Sequence, residues 1–308
     1  MNVFHKASDL KPGDRKVCAA IGVFDGIHLG HQQVLRQTLA DARQCEGIPV
    51  AITFDCHPST VVAPDRAPQM IYRLKKRLAT IAELGFENIY LIQFDEAFSQ
   101  LTGTEFISGL IKDFGTLTSI CVGRAFTFGH RRSGNVKLLK ELGANHGFKV
   151  HGLAAVALDG EPVSSTRIRS AIADANLDAA GQMLGRAYTL GGPVIKGAQL
   201  GRQLGFPTAN LETAGLITPP HGVYAVLAAA RDKSHRAALN IGIRPTVQSG
   251  EPVRQIEAHL LDFEGDLYDQ DLEITFVKRL RDEQKFPDLD ALKTQIAADV
   301  EAARSAFD

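Results

Sequence analysis

From residue 17 to residue 156 short apolar runs alternate with longer stretches in which apolar residues return every three or four positions. The runs are VCAAIGVF (17–24), VAITF (50–54), IYLIQF (89–94), SICVG (119–123) and FKVHGLAAV (148–156). Between them, Val34, Leu35, Leu39 and Ala42 share one helical face, and Phe106, Ile107, Leu110, Ile111 and Phe114 share another. Further helices are expected over 71–84 and 134–145. Apolar strands separated by helices make a parallel sheet covered on both faces. Such sheets bind ligands beyond the carboxyl ends of their strands. Four polar segments fall there: GVFDGIHLGH (22–31), TFDCHP (53–58), VGRAFTFGHRRSG (122–134) and the approach to SSTRIR (164–169).

Near residue 186 the period changes. YTLGGPVIKG, HGVYAVLAAA, HRAALNIG, RQIEAHLLDF and DLEITFVKRL are strand-like pieces separated by turns. The next long helix is expected over 288–303, with Leu289, Leu292, Ile296 and Val300 on one face. This half predicts a small antiparallel barrel or sandwich closed by a terminal helix. One helix-like stretch, 168–185, lies between the halves, so the expected domains are 1–185 and 186–308.

Bulk properties exclude several functions. With 34 basic and 35 acidic residues the net charge is -1, which argues against electrostatic capture of nucleic acid or an anionic membrane. The mean hydropathy is -0.05, and no run reaches the roughly 18 apolar residues of a membrane span. The N-terminal stretch is charged where a signal peptide is apolar. The four cysteines form no CxxC pair and read as thiols in a reducing compartment. A cytoplasmic protein is expected.

A turn entering a helix leaves backbone N–H groups unpaired, and these favour a phosphate. His28 and His31 add donors at such a turn, suited to stabilising charge on a phosphoryl group in transfer. Gly26 and Gly30 would admit the ligand close to the backbone. Without any ligand, the same residues read as a turn filled by His28, a helix capped by His31 and an Asp25 bonded within its loop. Downstream, Ser164, Ser165 and Thr166 can cap a helix whose first turn carries Arg167 and Arg169, a combination suited to a triphosphate.

In the second half, GPVIKGAQLGRQLGFPTAN (192–210) has glycines and free amides able to wrap a phosphate chain, without the spacing of a Walker P-loop. Thr208 and Asn210 stand two apart, so an extended segment points both oxygens to one side, where they suit a hard divalent cation. A polar hairpin turn would use the same residues. In RQIEAHLLDF, alternation puts Ile256, Ala258 and Leu260 on one face and Glu257 and His259 on the other. Glu257 is then a solvated strand residue or a general base.

Taken together these motifs resemble the bacterial bifunctional riboflavin kinase and FAD synthetase family. GVFDGIHLGH, TFDCHP and SSTRIR resemble its adenylyltransferase motifs; GRQLGFPTAN, NIGIRPT (240–246), IEAHLLDF and LRDEQKF (280–286) resemble its kinase motifs. The resemblance implies a nucleotidylyltransferase-like Rossmann-type sheet followed by a six-stranded riboflavin-kinase barrel with a C-terminal helix. It implies that riboflavin and ATP give FMN and ADP, and that FMN and a second ATP give FAD and pyrophosphate, with Mg2+ accompanying the nucleotide. In the first domain it assigns His28 and His31 to catalysis, and Gly22, Phe24, Asp25, Gly30, His57, Ser164, Ser165, Thr166 and Arg167 to ATP. Phe126, Phe128 and Arg132 fall to FMN. In the second it assigns Glu257 to deprotonating the ribityl hydroxyl, and Gly197, Gly201, Gly205, Pro207 and Thr208 to ATP. Thr208 and Asn210 fall to the metal, and Arg281, Glu283 and Phe286 to the flavin. Departures are Ala125 where the family usually has aspartate, Cys56 where proline is usual, and the milder Asp269 and Val247. Ala125 and Cys56 set one competing expectation, a riboflavin kinase with a degenerate adenylyltransferase domain; a non-catalytic flavin- or nucleotide-binding regulator is a more distant one.

Overall fold

In the computed structural model, which describes residues 1–197, 199–230, 233–244 and 253–307, the apolar runs of the first half become parallel strands. Ala198 of the glycine-bearing segment, and Pro245, Thr246 and Val247 at and after NIGIRPT, lie outside the described residues. β1 (Asn2–Phe4) and β2 (Val17–Ile21) lead to α1 (Leu29–Gln44), β3 (Ile48–Phe54), α2 (Ser59–Val62), α3 (Leu74–Glu83) and β4 (Asn88–Ile92). Then come α4 (Glu96–Ser99), α5 (Gly103–Phe114), β5 (Leu117–Gly123), a short ribbon of β6 (Thr127–Phe128) and β7 (Gly134–Asn135), α6 (Val136–His146) and β8 (Lys149–Leu153).

The six-stranded sheet has the order β1-β4-β3-β2-β5-β8, with every pair parallel. All five residues of β2 are buried, as a strand covered on both faces requires. From β2 the chain builds outward through β3 and β4, then returns to place β5 on the other side of β2. That reversal is a switch point, and the crevice it opens lies at the carboxyl ends of β2 and β5. GVFDGIHLGH leaves one lip and VGRAFTFGHRRSG the other.

A small hairpin, β9 (Ala157–Leu158) and β10 (Glu161–Pro162), precedes α7 (Ser165–Ala173) and α8 (Leu177–Leu184). The helix expected over 168–185 is therefore two helices. Ala175 adopts a left-handed conformation (φ 58°), and Asn176 caps α8 by accepting the Ala179 N–H at 3.2 Å. The chain divides into the compact units Met1–Arg167 and Ile168–Asp308.

The second unit continues with β11 (Thr189–Ile195), α9 (Leu200–Leu204), β12 (Ala209–Leu211), β13 (Gly222–Ala230), β14 (Lys233–Arg244), β15 (Val253–Leu260), β16 (Asp271–Arg281) and α10 (Leu289–Ser305). The strands close an antiparallel barrel in the order β11-β12-β15-β14-β13-β16. Closure decides between barrel and sandwich and removes the edges an open sheet would expose. Alternation on β15 holds as expected: Ile256, Ala258 and Leu260 are buried, while Glu257 and His259 are half-buried.

Candidate functional site

β2 stops at Ile21, three residues before its apolar run ends, because Phe24 takes a left-handed conformation (φ 51°) that no strand accommodates. A 3-10 turn over Asp25–Ile27 follows, and His28, extended, caps α1. The cap is thus His28 rather than His31: its Nδ1 accepts the His31 N–H at 3.4 Å, and His31 lies in the first turn. The two imidazoles stack at 3.7 Å with 20° between their planes. Burial, and then the neighbouring His28, push the ionisation of His31 well below the ordinary imidazole value. His31 is accordingly neutral at pH 7, and its Nδ1 has no hydrogen-bond partner among the described residues.

Local packing explains residues that had been assigned to the nucleotide. A Cβ on Gly30 would lie 3.2 Å from the His28 ring, and one on Gly22 would lie 2.9 Å from the Phe24 ring. Both glycines make room for a side chain of the same turn. The carboxylate of Asp25, 2% exposed, accepts the Ile71 N–H at 2.9 Å and the Tyr72 N–H at 3.4 Å, fastening the turn to the segment before α3. Its carbonyl accepts the Ser165 hydroxyl at 3.0 Å, so SSTRIR does meet the HLGH turn. Ser164 accepts the Arg167 N–H at 3.2 Å, and Thr166 is exposed. The Arg167 guanidinium donates to the carbonyls of Leu158 (3.0 Å) and Glu161 (3.3 Å), on the β9–β10 hairpin.

Beside this turn is a cavity of about 870 Å³ whose wall includes His57, Phe126, Phe128 and Arg132. It unites the residues expected to hold FMN, and adds Phe54, Phe94, Phe98 and Phe106, which sequence reading missed. These rings meet edge to face, Phe54 with Phe94 at 5.6 Å and Phe98 with Phe106 at 5.6 Å, while Phe126 stacks on Phe128 at 5.2 Å. An aromatic wall rimmed by His130, Arg131 and Arg132 suits a planar ring with an anionic tail. The signal was present in the two phenylalanines of QFDEAFS and in TFDCHP. His57 accepts the Ser59 N–H at 3.1 Å. Of the departures, Ala125 is exposed at the turn after β5, outside the lining of this cavity. The Cys56 thiol donates to the Phe94 carbonyl at 3.7 Å, in a loop where Asp55 also accepts the N–H groups of Cys56 and Phe94. Burial is the main reason that thiol's ionisation is pushed up.

Arg77 is a second residue the sequence hid. It is 1% exposed and donates to the carbonyls of Val23 (2.7 Å), Phe54 (2.8 Å) and Asp55 (3.1 Å), clamping the chain where it leaves β2 and β3.

In the barrel, Asn210 on β12 pairs with Glu257 on β15, and Glu257 pairs on its other side with Asn240 on β14. Gln255 donates from one nitrogen to both Asn210 Oδ1 and Glu257 Oε1, each at 2.8 Å, locking the two acceptors together. The Pro207 carbonyl accepts from His259 Nδ1 at 2.8 Å, which fixes the proton on that nitrogen. Thr208 lies between two cavities. One, about 570 Å³, is lined by Arg202, Pro207 and the 263–268 loop; the other, about 170 Å³, is lined by Asn240, Glu257, His259 and Arg281.

Gly197 lies against the Asn210 carboxamide, where any Cβ would overlap it, and Gly205 (φ 92°) ends α9. A Cβ on Gly201 would lie 2.5 Å from the Phe206 carbonyl. Arg281 makes a two-pronged contact with Asp299 of α10 (2.7 and 2.6 Å) and lies over the Phe286 ring at 5.8 Å. Glu283 accepts the Ile243 N–H at 3.4 Å. Asp269, where glycine was expected, takes the left-handed conformation (φ 60°) that glycine would favour.

Comparison with known proteins matches both halves. The FAD synthetase family model covers residues 10–167 and the riboflavin kinase family model covers 184–307. The bifunctional riboflavin kinase/FMN adenylyltransferase of Pseudomonas fluorescens is 39% identical over 99% of this chain and 97% of its own. The Escherichia coli K12 protein of the same description is 36% identical over 100% and 98%. A crystal structure described as a macrolide-efflux protein from Streptococcus pneumoniae aligns with a TM-score of 0.81 at 31% identity, covering 98% of both chains. Among the described residues no helix is long and apolar enough to cross a membrane. A nucleotide-type parallel sheet and a kinase-type closed barrel on one chain define a two-part transferase of phosphoryl and nucleotidyl groups. The chain belongs to the bifunctional riboflavin kinase/FMN adenylyltransferase family.

Proposed function

We propose that the barrel unit phosphorylates riboflavin with ATP, giving FMN and ADP, and that the sheet unit adenylylates FMN with a second ATP, giving FAD and pyrophosphate. The observation that carries this reading is that each half matches its own family, over 184–307 and 10–167, within a chain aligned almost end to end with the bifunctional relatives. We assign the kinase chemistry to 186–308 and the adenylyl transfer to 1–185.

In the first step the ribityl hydroxyl oxygen attacks the γ-phosphorus, the bond to ADP breaks, and Glu257 takes the hydroxyl proton. Gln255 holds that carboxylate in place beside Asn210. The small cavity takes the hydroxyl end of the flavin, with Arg281, Glu283 and Phe286 on the flavin side. The larger cavity takes the nucleotide, Gly197, Gly201, Gly205 and Pro207 shaping the chain around its phosphates, and Thr208 stands where the two meet. The hydroxyl of Thr208 and the carboxamide oxygen of Asn210 are the hard donors that suit Mg2+, which screens phosphate charge when bound.

In the second step a phosphate oxygen of FMN attacks the α-phosphorus and pyrophosphate leaves. The attacking phosphate is already anionic, so no proton needs removal. His28 and His31 serve by donating N–H bonds to the phosphoryl oxygens as charge builds, within positioned geometry. The phenylalanine-walled cavity takes the isoalloxazine. Ser165 holds the basic segment at the turn, and Arg167 is assigned to the leaving pyrophosphate once it exchanges its hairpin carbonyls for that anion. The free thiols suit a cytoplasmic setting.

The kinase-only alternative rested on Ala125 and Cys56, and neither side chain lines the cavity. Purified protein given FMN, ATP and magnesium is expected to release FAD and pyrophosphate. Riboflavin phosphorylation without any FAD across a broad pH range would leave the kinase-only reading standing.

A further inference from the structure

Away from both sites, three side chains of the sheet unit converge from regular elements. Cys121 on β5 and His151 on β8 are direct partners in the parallel register, so both project from the same face of the sheet. Asp41, on the fourth turn of α1, lies over them. Its Oδ2 is 3.2 Å from His151 Nε2 and 3.5 Å from Cys121 Sγ, and the three donor atoms all lie within 4.8 Å of one another. Gln37, one turn earlier on α1, donates to the other oxygen, Oδ1, at 2.8 Å, turning Oδ2 toward the thiol and imidazole.

These separations can be compared with those of a tetrahedral zinc ion. Bond lengths of about 2.1 Å to oxygen and nitrogen and about 2.3 Å to sulfur place neighbouring oxygen and nitrogen donors about 3.4 Å apart and oxygen and sulfur donors about 3.6 Å apart. Two edges of the donor triangle, at 3.2 and 3.5 Å, come within about 0.2 Å of those lengths, on a scaffold of two strands and a helix. Gln37 supplies the outer hydrogen bond that orients a ligating carboxylate. The His151 side chain is 33% exposed and Asp41 12%, so the ion has a path from solvent and a water can complete the coordination. The donors also select the ion: a thiolate and an imidazole favour zinc and its neighbours over magnesium.

We propose that Asp41, Cys121 and His151 form a binding site for a divalent transition ion of the zinc class, separate from both nucleotide sites. Asp41 is ten residues from His31, about 15 Å along α1. The ion fastens α1, whose first turn carries His31, to β5 and β8. Binding replaces the thiol proton of Cys121, which leaves to solvent, with a metal–sulfur bond.

The test is a titration of the full-length, chelator-treated protein with cobalt(II) in the absence of nucleotide, followed by its absorption spectrum. One equivalent is expected to develop tetrahedral ligand-field bands together with a thiolate-to-cobalt charge-transfer band, both bleached by added zinc. Cys121→Ser is expected to lose the charge-transfer band, and His151→Ala the tetrahedral spectrum. Because Cys121 is buried, the partly exposed His151 supplies the second measurement. Zinc should raise the thermal midpoint of the wild type and leave that of His151→Ala unmoved. No thiolate band in the wild type, a band that survives in Cys121→Ser, or an equal rise in midpoint in both proteins would overturn the site.

Discussion

His31 is half-buried, its ring desolvated and pressed against His28, and both circumstances disfavour its charged form. An unfolded imidazole titrates at 6.5. Above that pH both states hold a neutral His31 and it contributes no pH dependence. Below it the unfolded chain takes up a proton that the folded chain refuses, so stability falls as pH drops from 6.5 toward the depressed folded value. Urea unfolding followed between about pH 5 and about pH 8 is expected to show this slope in the wild type and a shallower one in His31→Gln; identical slopes would remove the assignment. Glu257 gives a prediction of a different kind. Glu257→Gln keeps an oxygen to accept from Gln255 but has no carboxylate to take a proton. FMN formation is expected to fall by about 10² to 10⁴-fold, while FAD formation from supplied FMN continues at the wild-type rate. Loss of both activities, or of neither, would refute the base role.

At the scale of elements, Arg77 binds the ends of two strands to α3 through three carbonyls. Arg77→Leu leaves those acceptors without their donor and is expected to cost about 3 kcal/mol or more, read as a lowered urea midpoint. Adenylyl transfer should fall further than riboflavin phosphorylation, because Val23 borders the HLGH turn and Phe54 lines the aromatic cavity; an even loss would mean general misfolding. Nothing in the sequence distinguishes Arg77 from the lysines beside it, since a cation on a helix ordinarily marks the solvent face. The parallel strands were legible because burial on both faces leaves uninterrupted apolar runs, and β15 because alternation survives in a barrel wall. β1 and β12, of three residues each, are too short to carry a period. The break between α7 and α8 was hidden because Ala175 is an unremarkable helix former that here takes a left-handed turn. Within the sites, His28, His31 and Glu257 were legible from spacing and resemblance together. The inward turn of Asp25 was not, because its acceptance of Ile71 and Tyr72 depends on a contact across 46 residues.

For the whole molecule, the question is where the kinase half begins. The residues assigned to its chemistry fall between Gly197 and Phe286, and the kinase family model starts at 184, yet the compact unit starts at Ile168. The difference is α8. Its Ala180, Met183 and Leu184 are at most 1% exposed, and the helix shares the wall of a cavity with Tyr224 and Phe276 of the barrel. Removing Met183 and Leu184 strips two large apolar side chains from that packing, worth about 3 to 5 kcal/mol in all. A fragment of 168–308 is therefore expected to fold and phosphorylate riboflavin. A fragment of 186–308 keeps every assigned catalytic group but should unfold roughly 10 °C or more lower. Their rates should agree when both are measured well below the lower midpoint, because α8 supplies none of the reacting groups. Equal midpoints would show α8 to be a linker whose burial does not support the barrel, while a lost rate in the folded shorter fragment would show that α8 shapes the kinase site itself.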